Sequence, residues 1–221
     1  MLRIVLCLTI CLAALSCQSQ APTGAAPKKA GTEDLAQSAV EKKYGHLSKA
    51  YFAGGCFWCT EAVFEPVRGV EAVYSGYTGG SLPNATYEEV GRGGTGHAEA
   101  IVVYFDSAQV SYRQLLVFFF ASHDPTTPNR QGPDVGPEYR SAVFYLNDAQ
   151  RQTAQQYIAE LNAAGKFLAP IVTEVTPAGP FYLAEEYHQN YYERHPENPY
   201  VQRITRPKVE KFVREFAEWL K

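Results

Sequence analysis

Only two cysteines lie in the body of the chain, Cys56 and Cys59, and they follow a glycine pair in the run Gly54-Gly55-Cys56-Phe57-Trp58-Cys59. Tyr51-Phe52-Ala53 is a short apolar stretch that ends on those glycines, after which Cys56, Cys59, Val63 and Val67 recur at helical spacing. The segment therefore reads as strand, tight turn and helix, with Cys56 in the first helical turn. A thiol at a helix start faces backbone N–H groups without partners and the positive end of the macrodipole, and both favour the thiolate. Cys56 is the expected nucleophile. Cys59, three residues on and on the same face, can reach an oxidised Cys56 and close a disulfide. Three other readings stand beside this one. A structural disulfide gains little from closing so short a loop. A zinc half-site lacks further body cysteines. A thioredoxin-like dithiol oxidoreductase is the stronger rival, although Phe57 and Trp58 build an apolar pocket where a disulfide exchanger presents a flat, open surface.

The remaining elements succeed one another along the chain. Residues 70–77 alternate and Ala98–Phe105 is rich in β-branched and aromatic residues, so both read as strands. Ser111 with Gln114 forms a capping-box pattern that opens a helix over the dense apolar run 115–120. Residues 124–140 carry four prolines and two glycines, a long loop and a candidate functional one. Residues 141–146 read as a strand, Asn147 caps a helix over 148–164, and 171–176 read as a further strand. The resulting β-α-β-β-α-β-α-β order implies an α+β sandwich. Val209, Phe212, Val213, Phe216 and Leu220 form one helical stripe that should dock on the core. With 221 residues, 46% of them hydrophobic, the chain suits one such domain with a leader. Lys+Arg of 20 against Asp+Glu of 23 lacks the basic excess of a phosphate-backbone footprint, so no nucleic-acid partner is expected.

The other three cysteines, Cys7, Cys11 and Cys17, lie in the first seventeen residues. Arg3 precedes an apolar run over residues 4–15, and Ser16 stands just before Cys17, which is a signal-peptide layout over residues 1–16. The run is short for a membrane span. Ala14-Leu15-Ser16-Cys17 resembles the lipobox of bacterial lipoproteins, in which the cysteine carries the lipid, the alternative being ordinary cleavage nearby. The next stretch, QSQAPTGAAPKKAG, reads as part of a flexible tether over residues 17–47, leaving 48–221 as the folded domain. An exported protein on the periplasmic or cell-envelope side, anchored to the membrane through Cys17, is expected.

Five stretches together carry a family resemblance: Gly55 to Cys59; Ser75-Gly76-Tyr77-Thr78-Gly79-Gly80; Tyr87-Glu88-Glu89-Val90; Gly96-His97-Ala98-Glu99-Ala100; and residues 131–141, QGPDVGPEYRS. In order and spacing they resemble the peptide methionine sulfoxide reductase A family over about residues 51–192. The resemblance implies a ferredoxin-like α+β core, a mixed sheet with helices packed on it, that reduces the S epimer of methionine sulfoxide, free or in proteins, and so repairs oxidised proteins. It makes Cys56 the nucleophile on the sulfoxide sulfur and Glu99 the acid on its oxygen. Tyr87 and Tyr139 become hydroxyl donors, Asp134 the carboxylate supporting the site, and Phe57 with Trp58 the pocket for the substrate's ε-methyl group. Cys59 then resolves the Cys56 sulfenic acid, and thioredoxin or an exported thioredoxin-like protein returns the electrons. His188 and Tyr191, in Ala184-Glu185-Glu186-Tyr187-His188-Gln189-Asn190-Tyr191, resemble a family segment near the site. The chain has no cysteine near its C-terminus, where other members carry resolving thiols, which leaves Cys59 to resolve the sulfenic acid or an external thiol to reduce it directly. From the residues alone, a glutamate on an apolar strand should have a raised pKa. His188 and His195 lack a third ligand, so neither a metal nor a cofactor is expected, and a monomer is. A thioredoxin-like oxidoreductase would leave Glu99, Tyr87 and Tyr139 without a role, and a plain binding module would need only a stable Cys56–Cys59 bond.

Overall fold

The computed structural model describes residues 30–221. In chain order it contains α1 (Ala30–Tyr44), β1 (Ser48–Gly54), α2 (Phe57–Phe64), β2 (Val70–Thr78), α3 (Tyr87–Gly91), β3 (Ala98–Phe105) and α4 (Tyr112–Ser122). Beyond them come β4 (Arg130–Gln131), β5 (Asp134–Val135), β6 (Ser141–Tyr145), α5 (Asp148–Ala163), β7 (Glu174–Pro177), β8 (Tyr182–Leu183), α6 (Tyr191–Arg194) and α7 (Arg206–Glu215). Among these residues six strands form one mixed sheet in the order β7-β6-β1-β3-β2-β8, and β4 and β5 form a small hairpin. Only β6 and β7 run parallel, joined through the crossover helix α5. The α+β sandwich with a mixed sheet and packed helices is as expected.

β3 sits between β1 and β2, and all eight of its residues are buried. Alternation divides them. Ala98, Ala100, Val102 and Tyr104 join Ala53, Phe144 and Phe181 on one face, whereas Ile101, Val103 and Phe105 join Phe52, Phe64, Leu115 and Phe119 on the face covered by α2 and α4. Glu99 falls in the second set by register, which aims it at the helix layer. Gly76 on β2 permits β8 to pack, since a Cβ there would collide with the Phe181 ring and the Tyr182 carbonyl.

The caps agree with the sequence. Ser111 and Gln114 make the expected capping box on α4, and Asn147 accepts from the Gln150 N–H at the start of α5. Four details differ. Residues 30–44, read as tether, form α1, whose Val40 and Tyr44 pack on the second sheet face while Glu41 accepts from Tyr104 Oη at 2.7 Å and pairs with Lys49. β7 starts at Glu174 because Ile171 and Val172 bond the Asn162 side chain and the Pro125 carbonyl instead of a ladder. The C-terminal stripe breaks at Phe216: Val209 and Phe212 are buried, Val213 is exposed, and Leu220 leaves the helix to bridge Val67. Finally α3, opened by a Thr86–Glu89 capping box, is a helix too short for apolar periodicity to announce.

Candidate active site

The β1–α2 turn needs glycine at Gly55, whose φ is +88° and whose Cβ would lie 2.5 Å from the Gln131 side chain. That close approach seats the β4–β5 hairpin against the turn. Cys56 is the N-cap of α2, and its carbonyl accepts from the Cys59 and Thr60 N–H groups. Its thiol makes no capping hydrogen bond. The first free N–H of the helix, on Phe57, donates instead to Glu99 Oε2 at 3.0 Å. A carboxyl from the middle of the sheet thus caps the helix that carries both thiols. Burial pushes the Glu99 pKa up to about 8, with the Phe57 N–H pulling down and Asp134, Glu138 and Cys59 adding to the rise. At neutral pH the carboxyl holds its proton. The expectation of a raised pKa on an apolar strand is met, and burial is its main cause.

The thiols depart from expectation. Both are free and buried. Burial raises the Cys56 thiol well above its ordinary value, and the hydrogen bond with Cys59 and the neighbouring Cys59 and Glu99 charges raise it further, while Tyr200 works the other way. The expected Cys56 thiolate is not the resting state, because desolvation outweighs a helix end whose leading N–H is already occupied by Glu99. Cys59 is shifted in the opposite direction. Its thiol is pulled down to about 6 by the hydrogen bond from Cys56, against the cost of burial, with help from Lys208 and Thr205. Cys59 Sγ lies 3.3 Å from Thr205 Oγ1.

Tyr87, Tyr139 and Asp134 converge here from α3, from the 3₁₀ turn Pro137–Tyr139 and from β5. The Tyr139 hydroxyl is made a weaker acid by burial first, then by Glu99, Tyr87, Cys56 and Asp134, and burial followed by Glu99 and Cys56 does the same to Tyr87. Both phenols therefore stay protonated donors. Glu185 fixes Tyr87 from behind, accepting its N–H at 3.1 Å and the Tyr77 hydroxyl at 3.0 Å. Phe57 is buried against Tyr87 and His188, and half-exposed Trp58 stacks on Tyr191 at 3.7 Å while its Nε1 donates to His188 Nδ1 at 3.0 Å. His188 and Tyr191 thus join Phe57 and Trp58 in one wall of packed aromatic rings. Glu61, two residues beyond Cys59, is buried and accepts the Asn190 N–H at 3.1 Å, tying that wall to α2.

Sequence pattern does not single out Tyr200, Thr205 or Glu185. Tyr200 donates to Asp134 Oδ2, a contact between residues 66 apart that no local pattern announces, and it stands near enough to Cys56 to act on its thiol. Cys17 lies outside the described residues. Among those described, no group of three or more His, Cys, Asp or Glu could hold a metal ion.

A protonated carboxyl, two phenols and a thiol beside a wall of aromatic rings can deliver a proton and a nucleophile to opposite ends of a polar S–O bond. Comparison with known proteins points the same way. Residues 48–220 match a family described as "Peptide methionine sulfoxide reductase". The chain is 53% identical over 173 residues to peptide methionine sulfoxide reductase MsrA of Deinococcus radiodurans, covering 78% of this chain and 84% of the relative. It is 49% identical over 176 residues to MsrA of Saccharolobus solfataricus, covering 79% and 98%. Among solved structures it is similar to reduced Mxr1 from Saccharomyces cerevisiae, with a TM-score of 0.63, 34% identity and coverage of 68% and 87%. It is also similar to methionine sulfoxide reductase A of Corynebacterium diphtheriae, with a TM-score of 0.60, 37% identity and coverage of 68% and 76%.

Proposed function

The chain belongs to the peptide methionine sulfoxide reductase family, and from that premise we propose how its own residues divide the reaction. The observation that carries the reading is the buried Glu99 carboxyl, protonated at neutral pH and bonded to the backbone N–H next to Cys56. Cys56 Sγ attacks the sulfoxide sulfur while Glu99 meets the oxygen with its proton, and Tyr87 and Tyr139 donate hydrogen bonds to the same oxygen. The substrate's S–O bond breaks, methionine leaves, and Cys56 holds the oxygen as sulfenic acid. Cys59 then attacks Cys56 Sγ, closing a disulfide as the oxygen departs as water. Two electrons from a dithiol donor, thioredoxin or an exported thioredoxin-like protein, restore both thiols. Phe57 and Trp58 receive the ε-methyl group, and Asp134 acts through Tyr200. One copy of the chain contains every residue of this scheme, so the catalytic unit is the monomer. The S epimer, free or in proteins, is the substrate, by likeness to the MsrA relatives.

We further propose that residues 1–16 are a signal peptide, that Cys17 carries a lipid, and that the domain works tethered on the outer side of a cell membrane. The charged start, the apolar run and the Ser16-Cys17 junction support this. Among the described residues no helix is long and apolar enough to cross a membrane. Labelled palmitate should enter the full chain and be lost in Cys17→Ala, together with membrane fractionation. Unchanged labelling in that variant would sink the lipid reading and leave plain secretion.

Attack and resolution separate cleanly. Cys56→Ser should abolish reduction of the S epimer, whereas Cys59→Ser should release one equivalent of methionine per enzyme and then stop unless an external thiol is supplied. A Cys56→Ser protein that turns over, or a Cys59→Ser protein without the single equivalent, contradicts the scheme.

Glu99→Gln keeps shape and a hydrogen-bond donor but has no proton to give, so the first turnover should slow on the order of 10²–10⁴-fold with little change in substrate affinity. The wild-type first turnover should fall as pH rises through about 8, where the acid form is lost, and this alkaline limb should vanish in the variant. Equal first-turnover rates for the two proteins would make Glu99 a structural strand residue.

A further inference from the structure

The segment after Tyr200 is irregular in a way that the reaction scheme does not use. Residues Val201–Thr205 form a π-helical turn, closed by the Arg206 N–H bonding back to the Val201 carbonyl five residues earlier, and α7 continues directly from it. In an α-helix, residues five apart point about 140° away from each other, whereas an i→i+5 turn brings them close to one face. Tyr200 and Thr205 are five apart, and each meets a different sulfur: Tyr200 meets Cys56, and Thr205 meets Cys59. Such single π turns recur at functional sites. Thr205 and Cys59 are both fully buried, and among the described residues the Thr205 hydroxyl has Cys59 Sγ as its hydrogen-bond partner, at 3.3 Å. Lys208, one turn further along α7, adds a positive charge on the same side of Cys59.

Resting on the scheme above, we propose that this turn is a positioning device for the resolving thiol: the Thr205 hydroxyl donates to Cys59 Sγ, and with Lys208 it holds the thiolate aimed along α2 at Cys56. The step it serves is closure. Cys59 thiolate forms the S–S bond to the sulfenic sulfur, the S–O bond of Cys56 breaks, and the departing hydroxide takes up one proton to leave as water. Cys59 is oxidised as the sulfenic sulfur is reduced, and no further reagent is needed. The charged and titratable groups facing Cys59 are Cys56 at the start of its own helix, Glu99 from β3, Asp134 from β5, Tyr200 before the π turn and Lys208 from α7. Of these only Lys208 is cationic. A donor hydroxyl beside it helps to offset burial and the Asp134 carboxylate, and Thr205 is the residue placed to supply it.

The test tracks closure directly, by rapid mixing of the reduced full chain with one equivalent of S-sulfoxide, reading methionine release and disulfide formation separately between pH 5 and 9. Thr205→Val keeps the shape and removes the donor. Its pH midpoint for closure should rise by about one unit, the fraction of thiolate lost with a hydrogen bond to a charged group. Closure should then be several-fold slower than wild type near pH 5.5. It should be equal or slightly faster near pH 8.5, because a more basic thiolate is intrinsically more nucleophilic. Thr205→Ser should restore the wild-type profile, and Lys208→Met, which leaves the buried hydroxyl in place, should move the midpoint the same way. A midpoint that stays put in Thr205→Val or in Lys208→Met overturns the proposal, as does uniform slowing at every pH, the mark of a merely structural residue. Absence of methionine release from the wild-type protein would instead be a failure of the reaction scheme itself.

Discussion

A single hydrogen bond, from the Phe57 N–H to the Glu99 carboxyl, joins the two halves of the site, and most of the structure is arranged around making it possible. Glu99 can stand there only because β3 occupies the interior of the sheet, covered on both faces, with its odd-numbered residues turned toward the helices. Phe57 can offer its N–H only because Gly55 turns the chain sharply enough for α2 to begin directly over that strand. The bond fixes the acid beside the nucleophile without a flexible side chain between them. The same burial keeps the carboxyl protonated, since an ionised form there would face Asp134, Glu138 and Cys59 in a poorly hydrated setting.

Burial acts on the thiols in the opposite sense from what a helix start alone would suggest. With its leading N–H occupied by Glu99, the helix end does little to ionise Cys56, and desolvation holds that thiol protonated. Cys59 is shifted the other way, pulled down by the hydrogen bond with Cys56 and helped by Lys208 and Thr205. The helix therefore carries one thiol at its cap facing the substrate pocket and a second, one turn in, facing α7. That division suits a reaction in which attack and resolution fall to different sulfurs.

Much of this is legible in the chain. The glycine pair before Cys56 marks the turn, the spacing of Cys59 marks the second thiol, and the apolar run around Glu99 marks the raised pKa, because each depends on neighbours in sequence. The rest depends on neighbours in space. Tyr200 and Thr205 flank a π turn that no periodicity marks, and their contacts with Asp134, Cys56 and Cys59 span from 66 to 146 residues. The expectation of a Cys56 thiolate fails because the cost of burying it is set by strands and loops that arrive later in the chain. Residues 30–44 look like tether by their polar composition, yet Tyr44 and Val40 cover Tyr104 and its neighbours on the outer sheet face.

A buried carboxylic acid, neutral at physiological pH, stands next to the attacking sulfur. Carboxyl-carbon NMR of the protein labelled at glutamate, with the Glu99 signal assigned by its loss in Glu99→Gln, measures this in the resting enzyme without reference to turnover. The account predicts a Glu99 carboxyl that is protonated at pH 7 and titrates near 8. A resonance that stays ionised through the neutral range and titrates near the ordinary glutamate value of about 4.3 would contradict it.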